Sequence, residues 1–179
     1  ADLVIVGIGA SPNVDFLKGG LSMEAGGIKV DGKLQTSQAD VYAIGDICSF
    51  PSRYGGQSRC EHVDHARKSA AHAVQAAMGT VTSTYDYLPY FYSRIFEYTD
   101  EPIVFNFFGS SSGKPSIAEL DNNTIGGVWV SDEKVVGALL MGSPGPSAEQ
   151  AAKLRDLALA QPAPSSSLLD TFTAAGVLS

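Results

Sequence analysis

The sequence predicts an α/β segment followed by an α+β segment, the second being an antiparallel sheet with a carboxyl-terminal helix. Two observations lead to this fold class. Short apolar runs and glycine-rich turns precede an Ala-rich helix at residues 61–78, which Gly79 would end. From Tyr85 onward the composition shifts to aromatic and β-branched residues interrupted by turns, the pattern of antiparallel strands.

The first apolar run, residues 3–6, has the continuous hydrophobicity of a strand buried on both faces of a parallel sheet. Such a strand needs neighbours on both sides, so we expect the chain to be the carboxyl-terminal portion of a longer polypeptide. The sequence also contains no Gly-x-Gly-x-x-Gly turn for a pyrophosphate. We therefore expect weak or absent cofactor binding by the chain alone.

The later elements follow from local signals. Residues 28–30 with the turn at Asp31-Gly32 predict a small hairpin, residues 41–44 a strand and residues 50–57 a loop. Further strands are predicted near residues 90–96, 103–108, 117–120, 125–130 and 135–141. A capping box at Ser147 and Gln150 begins a final helix, which extends to about residue 160 before two prolines and a tail at residues 165–179.

Composition and charge exclude several classes of protein. A hydrophobic fraction of 44% is that of a globular chain, and no apolar run is long enough to span a membrane. The net charge of −7 argues against a nucleic-acid partner, which needs clustered cations. Cys48 and Cys60 form no Cys-x-x-Cys and have no histidine at ligand spacing, so neither a redox dithiol nor a metal site is predicted. We expect free thiols in a soluble protein of a reducing compartment, the cytoplasm first, with organellar targeting left open.

The most informative stretch is the apolar run at residues 41–44, which stops at Gly45 and Asp46. The strands of an open α/β sheet end at a crevice where ligands bind, and Gly45 lets the backbone approach a ligand closely. The carboxylate of Asp46 can accept hydrogen bonds from sugar or sugar-alcohol hydroxyls. The alternative is that Asp46 only caps the segment that follows it.

The helix at residues 61–78 has an apolar stripe on a helical wheel, made of Val63, Ala66, Ala70, Ala73, Val74 and Ala77. The opposite side carries Glu61, His65, Lys68 and His72, so the two histidines are predicted to be solvated and not to be ligands. Arg67 lies at the edge of the stripe, where its guanidinium needs either an anionic ligand or a buried ion pair. The first turn holds Glu61, His62 and Val63, and its free N–H groups favour an electron-rich ligand.

A family resemblance rests on these residues. Thr36 followed by a strand that ends in Gly45-Asp46 resembles the second flavin-binding signature of the two-dinucleotide-domain reductases that are similar to glutathione reductase. The stretch at residues 3–13 resembles the strand and loop with which their NAD domain returns to the FAD domain. The resemblance implies the end of the NAD(P) domain at 1–14, an incomplete FAD-binding domain at 15–80, an interface domain at 81–164 and the tail. That domain makes homodimers in one branch only, so the oligomeric state stays open.

A second resemblance is more specific. Residues 61–70, EHVDHARKSA, and residues 85–94, YDYLPYFYSR, resemble the monodehydroascorbate reductases of plants and algae. The resemblance implies reduction of the monodehydroascorbate radical by NADH or NADPH through FAD. It implies that Gly9, Glu61 and His62 contact the nicotinamide nucleotide and that Asp46 and Val63 contact FAD. By the same resemblance, Arg67 and Tyr92 line the substrate pocket, with Tyr92 also against the flavin.

Alternatives remain at this stage. Tyr92 lies in an aromatic run, and such runs are more often core or interface than site. The nearest enzymatic alternative is a ferredoxin or rubredoxin reductase of the same architecture. A different class is a redox-inactive module that binds a partner through its antiparallel domain.

Overall fold

A computed structural model describes residues 1–121 and 123–178 and divides them between two compact units. Unit 1 is Ala1–Tyr87 and unit 2 is Leu88–Ser179. The division falls later than residue 80, where the sequence analysis divided the two domains. The reason is that Tyr85 and Tyr87, which are 5% and 3% exposed, pack into the core of unit 1.

Unit 1 contains a small four-stranded sheet and one long helix. Its elements are β1 Met23–Glu24, β2 Gly27–Lys29, β3 Cys48–Pro51, β4 Gln57–Ser58 and α1 Val63–Ala77, with 3₁₀ turns at Asp15–Leu17 and Gly45–Ile47. The strands lie in the order β1-β2-β3-β4. The two outer pairs are antiparallel hairpins, whereas β2 and β3 are parallel, with Ile28 opposite Cys48.

The strand predictions for unit 1 were partly wrong. Residues 3–6 form no strand and are exposed, Ile5 to 87%, because no strand among the described residues pairs with them. The strand predicted at 41–44 is reduced to a single bridge between Gln35 and Tyr42, because Gly45, with φ of +66°, turns the chain into a 3₁₀ turn. The hairpin before β3 turns at residues 25–26 rather than at 31–32, and β3 extends to Pro51, into the region 50–57 where a loop was predicted.

Helix α1 confirms the predicted helix but not its buried face. Its buried side chains are His65, Ser69 and Ala73, while Val63 and Val74 are 60% and 59% exposed. The prediction that His65 is solvated was therefore wrong, and His72 is half-buried as well, with Nε2 3.1 Å from the carbonyl oxygen of Gly32. The polar side chains turn inward because they find hydrogen-bond partners within unit 1.

Unit 2 is an antiparallel sheet with two helices, and the five predicted strands are confirmed. Its elements are β5 Tyr90–Ile95, β6 Ile103–Gly109, β7 Lys114–Asp121, β8 Thr124–Ser131, β9 Lys134–Gly142, α2 Ala148–Ala160 and α3 Leu168–Ala174, and the strand order is β5-β6-β9-β8-β7. The capping box of α2 is also confirmed. Ser147 Oγ accepts from the Gln150 N–H at 3.1 Å, and Gln150 Oε1 accepts from the Ser147 N–H at 2.9 Å.

Helix α3 lies in the segment that was predicted to be a tail. Ser167 caps it by accepting from the Asp170 N–H, and Phe172, Leu168 and Val177 are buried in one cluster with α2. A Cβ on Gly126 would lie 2.6 Å from the Phe172 ring, so the ring sits directly on the sheet. This segment is therefore part of the hydrophobic core. The sequence analysis missed the helix because its apolar residues show no clear helical periodicity.

The opposite face of the same sheet carries aromatic side chains. Phe91 packs against Phe105 and Phe107 against Trp129, with ring centroids 5.5 Å and 5.2 Å apart. Phe91 is 53% exposed. No helix in the described part of the chain is long and apolar enough to cross a membrane.

Candidate functional site

The 3₁₀ turn at Gly45–Ile47 presents Asp46 to solvent. Gly45 adopts a left-handed conformation, and its buried N–H donates to Ser69 Oγ of α1 at 3.0 Å. Asp46 lies in the first turn with an exposed side chain, and no side chain caps this turn. The alternative that Asp46 is only a cap is therefore wrong. Its carboxylate oxygens are placed where a ligand hydroxyl can reach them.

Arg59 joins this turn to the beginning of α1. One guanidinium nitrogen, Nη1, donates to the carbonyl oxygen of Asp46, and Nη2 lies 2.8 Å from Glu61 Oε1. The Arg59 side chain is only 17% exposed. Sequence reasoning missed this residue, because its main-chain acceptor is 13 positions earlier and no local pattern marks such a contact.

The amino end of α1 carries the other predicted ligand contacts. His62 is the N-cap, and its Nδ1 accepts from the Asp64 N–H at 3.1 Å. The His62 ring therefore satisfies one of the N–H groups that the sequence analysis left free for a ligand. Val63 follows with an exposed side chain. Burial, with smaller contributions from the negative charges of Asp46 and Glu61, raises the pKa of the Cys60 thiol to about 11.

A buried polar cluster lies beneath α1. His65 is fully buried, with Nδ1 3.0 Å from Tyr85 Oη and Nε2 3.6 Å from Cys48 Sγ, and its ring stacks on Phe50. Burial lowers the pKa of His65 and raises that of Cys48 to about 12. At neutral pH the imidazole and the thiol are both uncharged. This cluster, which sequence reasoning did not foresee, holds α1 against β3. The raised pKa values of Cys48 and Cys60 leave neither cysteine as a reactive thiolate at neutral pH.

Arg67 lies on an exposed face of α1 together with Val63 and Val74. It makes no ion pair with any residue that the structure describes, so the alternative of a buried structural ion pair is wrong. An unpaired guanidinium beside exposed apolar side chains is suited to an anion that also has an apolar or planar surface.

The remaining predicted residues lie elsewhere in the chain. Gly9, with φ of +89°, is part of the exposed segment before Asp15–Leu17. Tyr92 belongs to unit 2, on β5 opposite the buried Asn106, and its side chain is 52% exposed. Exposure on this scale does not fit a core tyrosine.

The residues around Asp46 fit a flavin nucleotide chemically. The ionised carboxylate of Asp46 can accept the hydrogen bonds that ribitol or ribose hydroxyls donate. The exposed side chain of Val63 offers an apolar contact near the start of α1. The left-handed Gly45 brings main chain to the surface without a side chain. Among residues 1–121 and 123–178, no three His, Cys, Asp or Glu side chains form a group that could hold a metal ion.

Family profiles match both units. Residues 1–71 match the pyridine nucleotide-disulphide oxidoreductase family, and residues 88–174 match the carboxyl-terminal domain of Monodehydroascorbate reductase 3-like proteins. Together these matches cover most of each unit.

Named relatives agree with the second profile. The chain is 43% identical to Monodehydroascorbate reductase 3 of Arabidopsis thaliana over 99% of this chain and 40% of that protein. It is 45% identical to the peroxisomal Monodehydroascorbate reductase 4 of the same plant over 79% of this chain and 29% of that protein. It is 44% identical to the monodehydroascorbate reductase of Solanum lycopersicum over 80% of this chain and 35% of that protein. The chain therefore spans 40% or less of the length of these relatives.

Two of the solved structures with a similar fold are named as reductases of ferredoxin and of putidaredoxin. A ferredoxin reductase from Rhodopseudomonas palustris matches with a TM-score of 0.64 and 30% identity over 89% of this chain and 43% of that chain. Putidaredoxin reductase, in its covalent complex with putidaredoxin, matches with a TM-score of 0.67 and 27% identity over 79% of this chain and 33% of that chain.

Proposed function

Because the chain belongs to the monodehydroascorbate reductase family, we propose that it is the carboxyl-terminal part of a FAD-dependent NAD(P)H oxidoreductase. The full-length enzyme would reduce the monodehydroascorbate radical to ascorbate, and the chain alone would be inactive. The observation that carries the proposal is the arrangement at the start of α1. Arg59 joins the turn of Asp46 to Glu61 there, and His62 and Val63 follow directly.

The cofactor contacts follow from this arrangement. We propose that Asp46 accepts hydrogen bonds from the FAD ribitol and that the exposed Val63 side chain contacts the flavin. Gly9, Glu61 and His62 are the proposed contacts of the nicotinamide nucleotide. FAD bound by these residues would supply the redox chemistry, hydride acceptance from NAD(P)H and single-electron donation to the acceptor. The protein contributes binding and orientation.

Arg67 is the proposed residue for substrate binding. Monodehydroascorbate is an anion, and an exposed guanidinium without an ion pair in the described residues can attract it and donate two parallel hydrogen bonds. The half-exposed Tyr92 is the proposed contact of the substrate ring and of the flavin. Neither residue is required to transfer a proton.

The experiment uses the full-length protein. We expect a visible flavin spectrum and oxidation of NADH that depends on the ascorbate radical. Arg67→Ala should lower kcat/KM for the radical by about 10- to 100-fold, the range of one charged hydrogen-bonding contact, and change reduction of an uncharged quinone little. Lys68→Ala is the matched control, because Lys68 is the next cation on α1 and already pairs with Asp64 at 2.8 Å. Equal losses with both acceptors would show that Arg67 is structural.

A second candidate is favoured by the similar solved structures, which include a ferredoxin reductase and putidaredoxin reductase. It predicts that the full-length protein reduces a small iron–sulfur protein faster than it reduces the ascorbate radical. The acidic net charge of −7 argues against this candidate if the partner is also acidic. If the full-length protein showed no flavin spectrum, the remaining candidate function would be that of a redox-inactive module that binds a partner. We further propose a reducing compartment, since Cys48 and Cys60 are free thiols.

A further inference from the structure

Arg59 has a position that the proposed contacts do not explain. Its guanidinium bonds at once to the main chain of the turn that carries Asp46 and to the side chain of Glu61. The first is the proposed FAD segment and the second a proposed contact of NAD(P)H. With 17% of its side chain exposed, Arg59 itself offers little surface to a ligand.

The aliphatic part of Arg59 is fixed as well as its charged end. A Cβ on Gly27 would lie 2.5 Å from Arg59 Cδ and 2.6 Å from the carbonyl oxygen of Ile47. Gly27 therefore leaves the space in which the arginine stem passes between β2 and the 3₁₀ turn. A planar guanidinium has donors on separate nitrogens and can hold two acceptors in fixed directions, which the single ammonium of lysine cannot do.

We propose that Arg59 is a positioning residue that holds the FAD-binding turn and the NAD(P)H-binding start of α1 in one relative geometry. This inference rests on the proposed function, because it assigns Asp46 and Glu61 to the two nucleotides. Arg59 acts through both segments and touches neither nucleotide. Its loss therefore weakens both binding events, whereas loss of either ligand contact alone weakens mainly one.

The experiment compares two arginines of unit 1 in the full-length protein. Arg59→Met keeps the aliphatic stem and removes the donors. Arg53→Met is the matched control, because Arg53 is 18% exposed and pairs with Asp86, Nε lying 2.9 Å from Oδ1. The readouts are the FAD dissociation constant, from flavin fluorescence, and the KM for NADH and NADPH measured with saturating FAD. Melting temperatures are recorded for both variants.

We expect Arg59→Met to raise the FAD dissociation constant and the KM for the nucleotide each by about 10- to 100-fold, the range for loss of hydrogen bonds to a charged group. Arg53→Met should lower the melting temperature and leave both constants within about twofold of wild type. Arg59→Lys, which keeps the charge, should retain the fold and recover only part of the loss.

Three results overturn the proposal. If the FAD dissociation constant and the KM for the nucleotide were the same in Arg59→Met, Arg59→Lys and wild type, the contacts of Arg59 would not position the site. Equal increases for Arg53→Met would show that general destabilisation explains them. A wild-type protein that binds no flavin would overturn the proposed function and this inference with it, an outcome that is distinct from a flavin-binding wild type with unchanged variants.

Discussion

Replacement of Ser69 by alanine tests how the Asp46 turn is held against α1. Ser69 is fully buried, and its Oγ accepts from the N–H of Gly45 at 3.0 Å. In Ser69→Ala that N–H stays buried without its acceptor, which costs about 1–3 kcal/mol. Alanine is the better helix former by up to about 0.5 kcal/mol, which offsets part of the loss. The net expectation is a loss of about 0.5–3 kcal/mol.

The assay is urea unfolding of the full-length protein, followed by far-UV circular dichroism and by flavin release. We expect flavin release to shift more than global unfolding, because the weakened contact holds the Asp46 turn. Gln75→Ala is the control, since Gln75 is exposed on the same helix and changes only helix propensity. A Ser69→Ala protein as stable as Gln75→Ala would refute the reasoning, because it would show that Gly45 N–H does not depend on the serine hydroxyl.

Two further predictions concern the core of each unit. Burial lowers the pKa of His65 below its ordinary value of 6.5, so the unfolded state takes up the proton first and stability should fall as pH drops below about 6.5, by at most about 1.4 kcal/mol per pH unit. Urea midpoints between pH 8 and pH 5 check this, and an unchanged slope in His65→Asn would contradict it. In unit 2, Phe172→Ala should destabilise by about 3–5 kcal/mol, whereas Leu169→Ala, at a position 55% exposed on the same helix, should stay within about 0.5 kcal/mol. Similar small losses in both variants, measured by thermal unfolding, would mean that α3 does not pack on the sheet.

Unit 2 was largely predictable from the sequence because its signals are local. Each strand alternates between two faces and is bounded by a turn, and three of the four pairings join consecutive strands, the exception being β6 with β9. The capping box of α2 is likewise contained within four residues, from Ser147 to Gln150. Helix α3 was missed because its burial depends on Phe172 meeting a glycine of a distant strand.

Unit 1 was less predictable because its contacts join distant segments. The helical wheel ranked side chains by polarity. Ser69 and His65 nevertheless lie on the buried face of α1, because they form hydrogen bonds with Gly45 and Tyr85. The same orientation of the helix exposes Val63 and Arg67, which the wheel had placed on or beside the buried stripe. Of the predicted site, Asp46, Glu61, His62 and Val63 come together at the start of α1. The ligand-binding roles of these four residues, like those of Gly9, Arg67 and Tyr92, stay predictions.

The parallel pairing of β2 with β3 determines when the Asp46 turn can form during folding. Residues 30–47 separate the two strands, so the pairing of Ile28 with Cys48 closes a long loop. The loop loses conformational entropy on closure before the strands gain contacts in return. Asp46 lies at the end of that loop, and its turn is held by α1, which follows later in the chain. The carboxylate therefore reaches its place only after loop closure and helix docking. A nascent chain on the ribosome would expose the complete 41–46 motif long before it had a flavin site.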